Sequence, residues 1–267
     1  RHLRSSAIRG TELVPAVTRL GAMNLLLHGI GAGGEDGELP IRTGDSLADV
    51  PDRSYNVILT NPPFGKRSSV NVVTRQRESE LDELDVVRAD FWVSTSNKEL
   101  NFLQHVANIL AAGGRAAIVV PEGVLSGGGP GEIIRKRLLQ EFDVHTLLRL
   151  PTGIFYAQGV NANVLFFDKT EGRLPPDRKL WVYDLRTAKR FTLASNRLER
   201  SDLDEFVLCF RPGDRRNRVP TWSPETPSGR WRSYELSALL ERDKVALDIS
   251  WIAERSRAPA VSPEALD

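Results

Sequence analysis

Cysteine is nearly absent. Cys209 is the only one in 267 residues, which excludes an internal disulfide and a cysteine-based zinc cluster. Methionine is as scarce, with Met23 alone, and the chain opens on Arg1, so it reads as a fragment of a longer product. Neither sign of charge is in excess, because 36 Lys and Arg against 35 Asp and Glu leave a formal charge of +1. A globally basic nucleic-acid binder is thereby excluded, and any such contact must come from local patches or a partner. No apolar run reaches the ~18 residues of a membrane span, and Arg1-His2-Leu3-Arg4 leads into no signal-peptide core. A reducing, cytoplasmic setting without a membrane partner fits these absences. No metal site is expected either, since His105 and His145 have no ligand partners at useful spacing.

What is present is ordinary globular composition, 40% hydrophobic, in a length that suits one large domain or a domain plus an appendage. Apolar runs alternate with amphipathic stretches, which predicts α/β with a mostly parallel sheet. Strands are expected at residues 7–13, 55–60, 115–120, 144–150, 164–168 and 180–185. Helices are expected at residues 15–28, 99–112 (ended by Gly113-Gly114) and 132–142. Short helices are expected behind Ser201 and Ser233 as N-caps. Residues 65–97 form a connection too long for an ordinary loop, either a flap or partly helical. Residues 171–177 read as a linker, dividing a region at 1–170 from a small mixed extension at 171–267 whose last residues form a loose tail.

One tetrapeptide carries chemistry. Asn61-Pro62-Pro63-Phe64 follows a buried strand directly, and open α/β sheets bind ligands at the carboxyl ends of their strands. Each proline fixes its own φ and restricts the residue before it, so the loop is stiff. An exocyclic amine has its lone pair delocalised into the ring. The Asn61 side-chain carbonyl and the Pro62 backbone carbonyl can each accept one of its N–H groups, which pulls the nitrogen towards tetrahedral geometry. Pro63 stiffens the loop, and Phe64 can stack on a planar base flipped out of a duplex. From composition alone the tetrapeptide arises in roughly one chain of this length in a thousand, so a plain turn is the weaker reading.

The motif resembles that of S-adenosylmethionine-dependent amino-methyltransferases acting on adenine, some guanines and glutamine. Other segments narrow the likeness: Gly10-Thr11-Glu12-Leu13-Val14-Pro15, Met23-Asn24-Leu25-Leu26-Leu27-His28-Gly29, Leu150-Pro151-Thr152-Gly153-Ile154-Phe155, Asn163-Val164-Leu165-Phe166-Phe167, Leu180-Trp181-Val182-Tyr183-Asp184-Leu185 and Arg242-Asp243-Lys244. Together they resemble the modification subunit of type I restriction–modification systems. The resemblance implies a Rossmann-like class I methyltransferase sheet and N6-adenine methylation of double-stranded DNA. It implies a specificity subunit, a restriction subunit and a second modification subunit as partners. It also implies that Glu12 accepts hydrogen bonds from the cofactor's ribose hydroxyls and that Asp45 contacts its adenine. The weaker readings are a solvated strand-end carboxylate for Glu12 and an N-cap of a short following helix for Asp45. The sequence departs from the family at one place: the first strand and its Asp-Pro-x-x-Gly-x-Gly-type loop are missing. The implied fold puts that strand between those bearing Glu12 and Asn61, so the sheet is expected to be incomplete, the fragment poorly stable and cofactor binding weak.

Two further readings remain. One is a non-catalytic assembly piece that docks a specificity subunit; the other is an RNA or protein-glutamine methyltransferase. Several weaker signals are set aside. Residues 126–131 lack the Lys-Ser/Thr of a phosphate loop, and residues 31–37 follow a helix rather than a strand. Asn24 and His28, one turn apart, read as a helix face. Lys66, Arg67 and the cluster Arg211, Arg215, Arg216 and Arg218 are candidate contacts to phosphate or partner.

Overall fold

The structure is a computed structural model that describes residues 7–31, 39–48, 50–51, 53–64, 86–155, 160–186, 191–192 and 195–252. The expectations for residues 1–6, 32–37 and 257–267, and for Lys66 and Arg67, lie outside the described residues.

Two sheets are present among the described residues. Strands β1 (Gly10–Glu12) and β2 (Ile41–Thr43) form a parallel pair, joined through helix α1 (Pro15–Leu27). The larger sheet contains β3 (Tyr55–Thr60), β4 (Leu110–Pro121), β5 (Asp143–Arg149), β6 (Ala162–Asp168), β7 (Lys179–Asp184) and β8 (Trp231–Glu235). Its order is β3-β4-β6-β5-β7-β8. Strands β3, β4, β5 and β7 run one way, and β6 and β8 run against them. Residues beyond 171 thus add two strands to the same sheet. The turn at 171–177 does not open a separate core, since Leu180, Val182, Leu239 and Leu247 belong to the main apolar cluster.

Helices α2 (Lys98–Ile109) and α4 (Pro130–Glu141), with the short α3 (Glu122–Ser126) between them in the chain, cover one face of the sheet. In α2, Leu100, Leu103, Val106 and Ala107 recur at helical spacing and are buried, while the Asn97 side chain accepts from the Leu100 N–H at 2.9 Å to cap its start. A second stripe on the helix is polar and also enclosed. Gln104 pairs both Val93 backbone groups at 3.1 Å, Asn101 donates to the Thr95 carbonyl at 2.8 Å, and Asn108 donates to the Asp90 carbonyl at 2.7 Å. Residues 90–95 are thereby held against the helix, with these backbone groups satisfied. The other face carries an aromatic cluster that includes Tyr183, Phe206 and Trp231, closed by helix α5 (Asp204–Phe210).

Three local expectations are corrected. Gly113-Gly114 do not end a helix. Helix α2 stops at Ile109, and the glycines shape an irregular stretch of β4, where Gly113 has φ +73° and a Cβ on Gly114 would lie 2.8 Å from the Ala111 carbonyl oxygen. Ser233 lies inside β8, and α6 (Leu236–Leu240) begins after it. Ser201 sits within the turn Arg200–Leu203, which Glu199 caps.

Strand β3 has β4 as its only partner among the described residues. Val57 and Leu59 on this strand are 51% and 79% exposed. The amino ends of β1, β2 and β3 nonetheless meet around one cleft of about 320 Å³ lined by Arg9, Gly10, Pro40, Ile41, Arg53 and Tyr55. Among the described residues the strands thus form a parallel pair and a separate mixed sheet of six.

Candidate active site

The loop Asn61–Phe64 leaves the carboxyl end of β3. Pro62 is buried, Asn61 and Pro63 are exposed, and Phe64 is half-buried. Phe64 meets Phe155 edge-on, with centroids 5.7 Å apart and planes at 80°. Phe155 belongs to residues 151–155, which leave the carboxyl end of β5, so two parallel strands deliver one aromatic pair. Gly153 makes the approach possible. Its φ is +85°, and a Cβ there would sit 2.2 Å from the Phe191 carbonyl oxygen. The structure thus brings Phe64 beside the segment Leu150–Phe155, which sequence reasoning used only to mark the resemblance.

Glu12 and Asp45 emerge at one end of the β1–β2 pair. Glu12 is in register with Thr43, and the Gly44 N–H donates to the Glu12 carbonyl at 3.0 Å. Each carboxylate uses one oxygen on its own turn: Glu12 Oε1 accepts from Val14 N–H at 2.8 Å, and Asp45 Oδ1 from Leu47 N–H at 2.8 Å. Residues 46–48 form a turn and not a helix, so the Asp45 side chain closes that turn rather than capping a helix, and the second oxygen of each carboxylate is left for a ligand. Two strand-end carboxylates at solvent suit a molecule bearing a diol and an exocyclic amine, so the donor set fits S-adenosylmethionine.

Sequence reasoning missed a second polar cluster at the same carboxyl edge. Arg149 ends β5 and is fully buried. It donates to the carboxylate of Glu122, which follows β4, to Asn163 Oδ1 at 3.3 Å and to the Ile249 carbonyl at 2.5 Å. Asp184, which ends β7, holds Arg186 at 2.7 Å, and Arg186 reaches Ser250 at 3.0 Å. The segment 249–250 is thereby stitched along this edge. The available signal was Arg149 itself, a cation closing a strand whose preceding residues, Leu147 and Leu148, are apolar.

Other candidates resolve into structure. His28 Nδ1 lies 2.8 Å from the Asn24 carbonyl, an ordinary helix contact. The basic cluster is largely committed inward: Arg215 pairs with Asp143 at 3.2 Å and Asp168 at 2.7 Å, and buried Arg218 donates to the Phe210 and His145 carbonyls. Burial pushes Asp168 up, but His145 and Arg215 beside it outweigh that and hold it below the usual carboxylate range. These groups line a cleft of about 330 Å³ with Val57, Leu59, Phe166 and Phe210. Neither Asn61 nor Phe64 lines that cleft, so it is not the candidate site. Among the described residues no cluster of His, Cys, Asp and Glu could hold a metal ion, and no helix is long and apolar enough to cross a membrane.

Parallel strands with these loops at their carboxyl ends define a Rossmann-like class I methyltransferase fold. Comparison with known proteins gives the family. The model of the N-6 DNA Methylase family matches residues 2–226, and the chain belongs to that family. It is 36% identical to the type I restriction enzyme StySJI methylase subunit of Salmonella typhimurium, over 96% of this chain and 51% of that protein. It is also 36% identical to the EcoKI methylase subunit of Escherichia coli K12, with the same coverage. The crystal structure of the EcoKI M protein superposes with a TM-score of 0.77 at 34% identity, covering 95% of this chain and 55% of that one. A type I methyltransferase subunit from Streptococcus thermophilus shares the fold, with a TM-score of 0.66 at 22% identity, over 89% of this chain and 47% of that one. The chain spans about half the length of the curated relatives it matches.

Proposed function

We propose that the chain carries the catalytic half of a type I modification subunit and transfers a methyl group from S-adenosylmethionine to the N6 amino group of adenine in double-stranded DNA. In this reading it works in the cytoplasm beside a specificity subunit, a restriction subunit and a second modification subunit. The observation that carries the proposal is the Asn61–Phe64 loop, set on a parallel strand with Phe64 against Phe155. The relatives' own names, type I restriction enzyme methylase subunits, support the choice of substrate.

Asn61 and the Pro62 carbonyl accept the two amine N–H groups, and the buried Pro62 keeps their spacing fixed. Phe64 offers a face to the flipped base. Glu12 accepts from the ribose hydroxyls, and Asp45 accepts from the adenine end. When bound, the cofactor supplies an electrophilic methyl group on a sulfonium. No further nucleophile is asked of the chain.

Asn61→Ala in the assembled complex tests this. Incorporation of tritiated methyl into DNA is expected to fall at least ~100-fold, the order lost with an oriented transition-state hydrogen bond. Cofactor affinity should be retained. Turnover within threefold of the parent would sink the assignment.

A further inference from the structure

The turn that carries Asp45 is held from a distance by a residue outside every motif. Arg88 lies where the chain returns from the connection after Phe64, and its side chain is 2% exposed. Asp90 grips it in a fork, with Nε to Oδ1 at 3.0 Å and Nη2 to Oδ2 at 2.7 Å. Asn108 on α2 fixes Asp90 in turn, donating to its carbonyl at 2.7 Å and to Oδ2 at 3.0 Å. The remaining nitrogen, Nη1, donates to the Ser46 carbonyl oxygen at 3.1 Å and to His105 Nδ1 at 3.0 Å. Phe91 closes the remaining side, with the guanidinium carbon 4.2 Å from its ring centre. Ser46 is the residue between Asp45 and the buried Leu47, inside the turn that the Asp45 carboxylate caps.

We propose that Arg88 is a positioning residue for cofactor recognition: clamped by Asp90, which Asn108 of α2 anchors, it fixes the Ser46 carbonyl and with it the direction in which Asp45 presents its free oxygen. The inference rests on reading Asp45 as a cofactor contact. Arginine suits the task because its planar fork holds Asp90 with two nitrogens and keeps the third for Ser46. Lysine has one nitrogen and cannot keep both partners in this geometry.

The test compares Arg88→Met, Arg88→Lys and Asp45→Ala in the chain assembled with its partners. Readouts are S-adenosylmethionine Kd by calorimetry, cofactor KM and kcat by tritiated-methyl transfer, and DNA Kd. Loss of one hydrogen bond to a charged donor corresponds to a change on the order of ten- to a hundredfold. Both Arg88 variants should raise cofactor Kd and KM by that order. At saturating cofactor kcat should stay within about twofold and DNA Kd should not change. Asp45→Ala combined with Arg88→Met should be little worse than either alone, because both act on one contact. If Arg88→Met fails to fold, Arg88→Lys, which keeps a cation opposite Asp90, decides the matter. Arg88→Lys with cofactor Kd within twofold of the parent, while Asp45→Ala weakens it, overturns the strut alone. Unchanged cofactor Kd in Asp45→Ala overturns the reading of Asp45 beneath it. A fall in kcat at unchanged KM also overturns the proposal.

Discussion

Arg149→Met is the perturbation whose cost the structure defines most closely. The guanidinium is fully buried and serves three acceptors: the Glu122 carboxylate, Asn163 Oδ1 and the Ile249 carbonyl. Methionine keeps much of the volume and none of the donors. Removing one member of a buried pair costs about 3–5 kcal/mol. Glu122 is 32% exposed and keeps part of its hydration, so the lower end, ~3 kcal/mol, applies. At about 2–4 °C per kcal/mol for a chain of this size, the melting midpoint should fall by roughly 6–12 °C. Glu122→Gln is the mirror experiment and should cost more, because it leaves the fully buried cation without its counter-charge. The double variant should lose less than the sum of the singles by about 1–2 kcal/mol. Thermal unfolding of the four proteins by circular dichroism reads all of this. A loss below ~1 kcal/mol for Arg149→Met, or additive losses, would refute the reasoning that this pair is a coupled, desolvated unit.

Two more tests concern the surroundings of the site. Burial first, and then the neighbouring Arg88 cation, lower the His105 pKa from 6.5 to about 4. The unfolded chain therefore binds the extra proton first, and the stability His105 contributes is complete above pH ~6.5 and lost as pH falls towards 4. The loss is ~3 kcal/mol at most, and urea unfolding at pH 7 and pH 4.5 should show it in the parent and less of it in His105→Gln. An equal pH dependence in both proteins would count against a neutral acceptor beneath Arg88. Gly153→Ala should detach Phe155 from Phe64, since the new Cβ would lie 2.2 Å from the Phe191 carbonyl oxygen at φ +85°. Methyl transfer is expected to drop on the order of tenfold or more with a misplaced aromatic, and activity equal to the parent would show that residues 151–155 do not shape the site.

Legibility followed the range of the interactions. Asn61–Phe64 could be read because its geometry is local: a short apolar strand, then two prolines that stiffen the loop. Helices α2 and α4 could be read because their apolar stripes recur within a few residues. The antiparallel insertion of β6 between β4 and β5 left no local mark, and neither did β7 and β8 joining the same sheet across a proline-rich turn. Arg149 was visible as an oddity in its strand, but its partners lie 14, 27 and 100 residues away. The Arg88–Ser46 contact spans 42 residues, and nothing at either position signals it. Glu12 and Asp45 were named only through the resemblance. Their own surroundings, one backbone N–H each, would describe any turn-capping carboxylate.

Strand β3 shows a different relation between sequence and position. Tyr55–Thr60 carries the apolar run Val57-Ile58-Leu59, which places apolar side chains on both faces as in an inner parallel strand. Ile58 is buried against the α2 face, yet Val57 and Leu59 stand at solvent, and the far edge offers its backbone groups to no described neighbour. Edge strands in stable domains are blunted by charge, proline or twist, and Val57-Ile58-Leu59 carries neither charge nor proline. The composition is therefore written for a neighbour on each side, which is what the implied fold supplies between the strands bearing Glu12 and Asn61. Exposed Leu59 is thus read as an apolar strand residue without a described cover rather than as a surface feature of the candidate site.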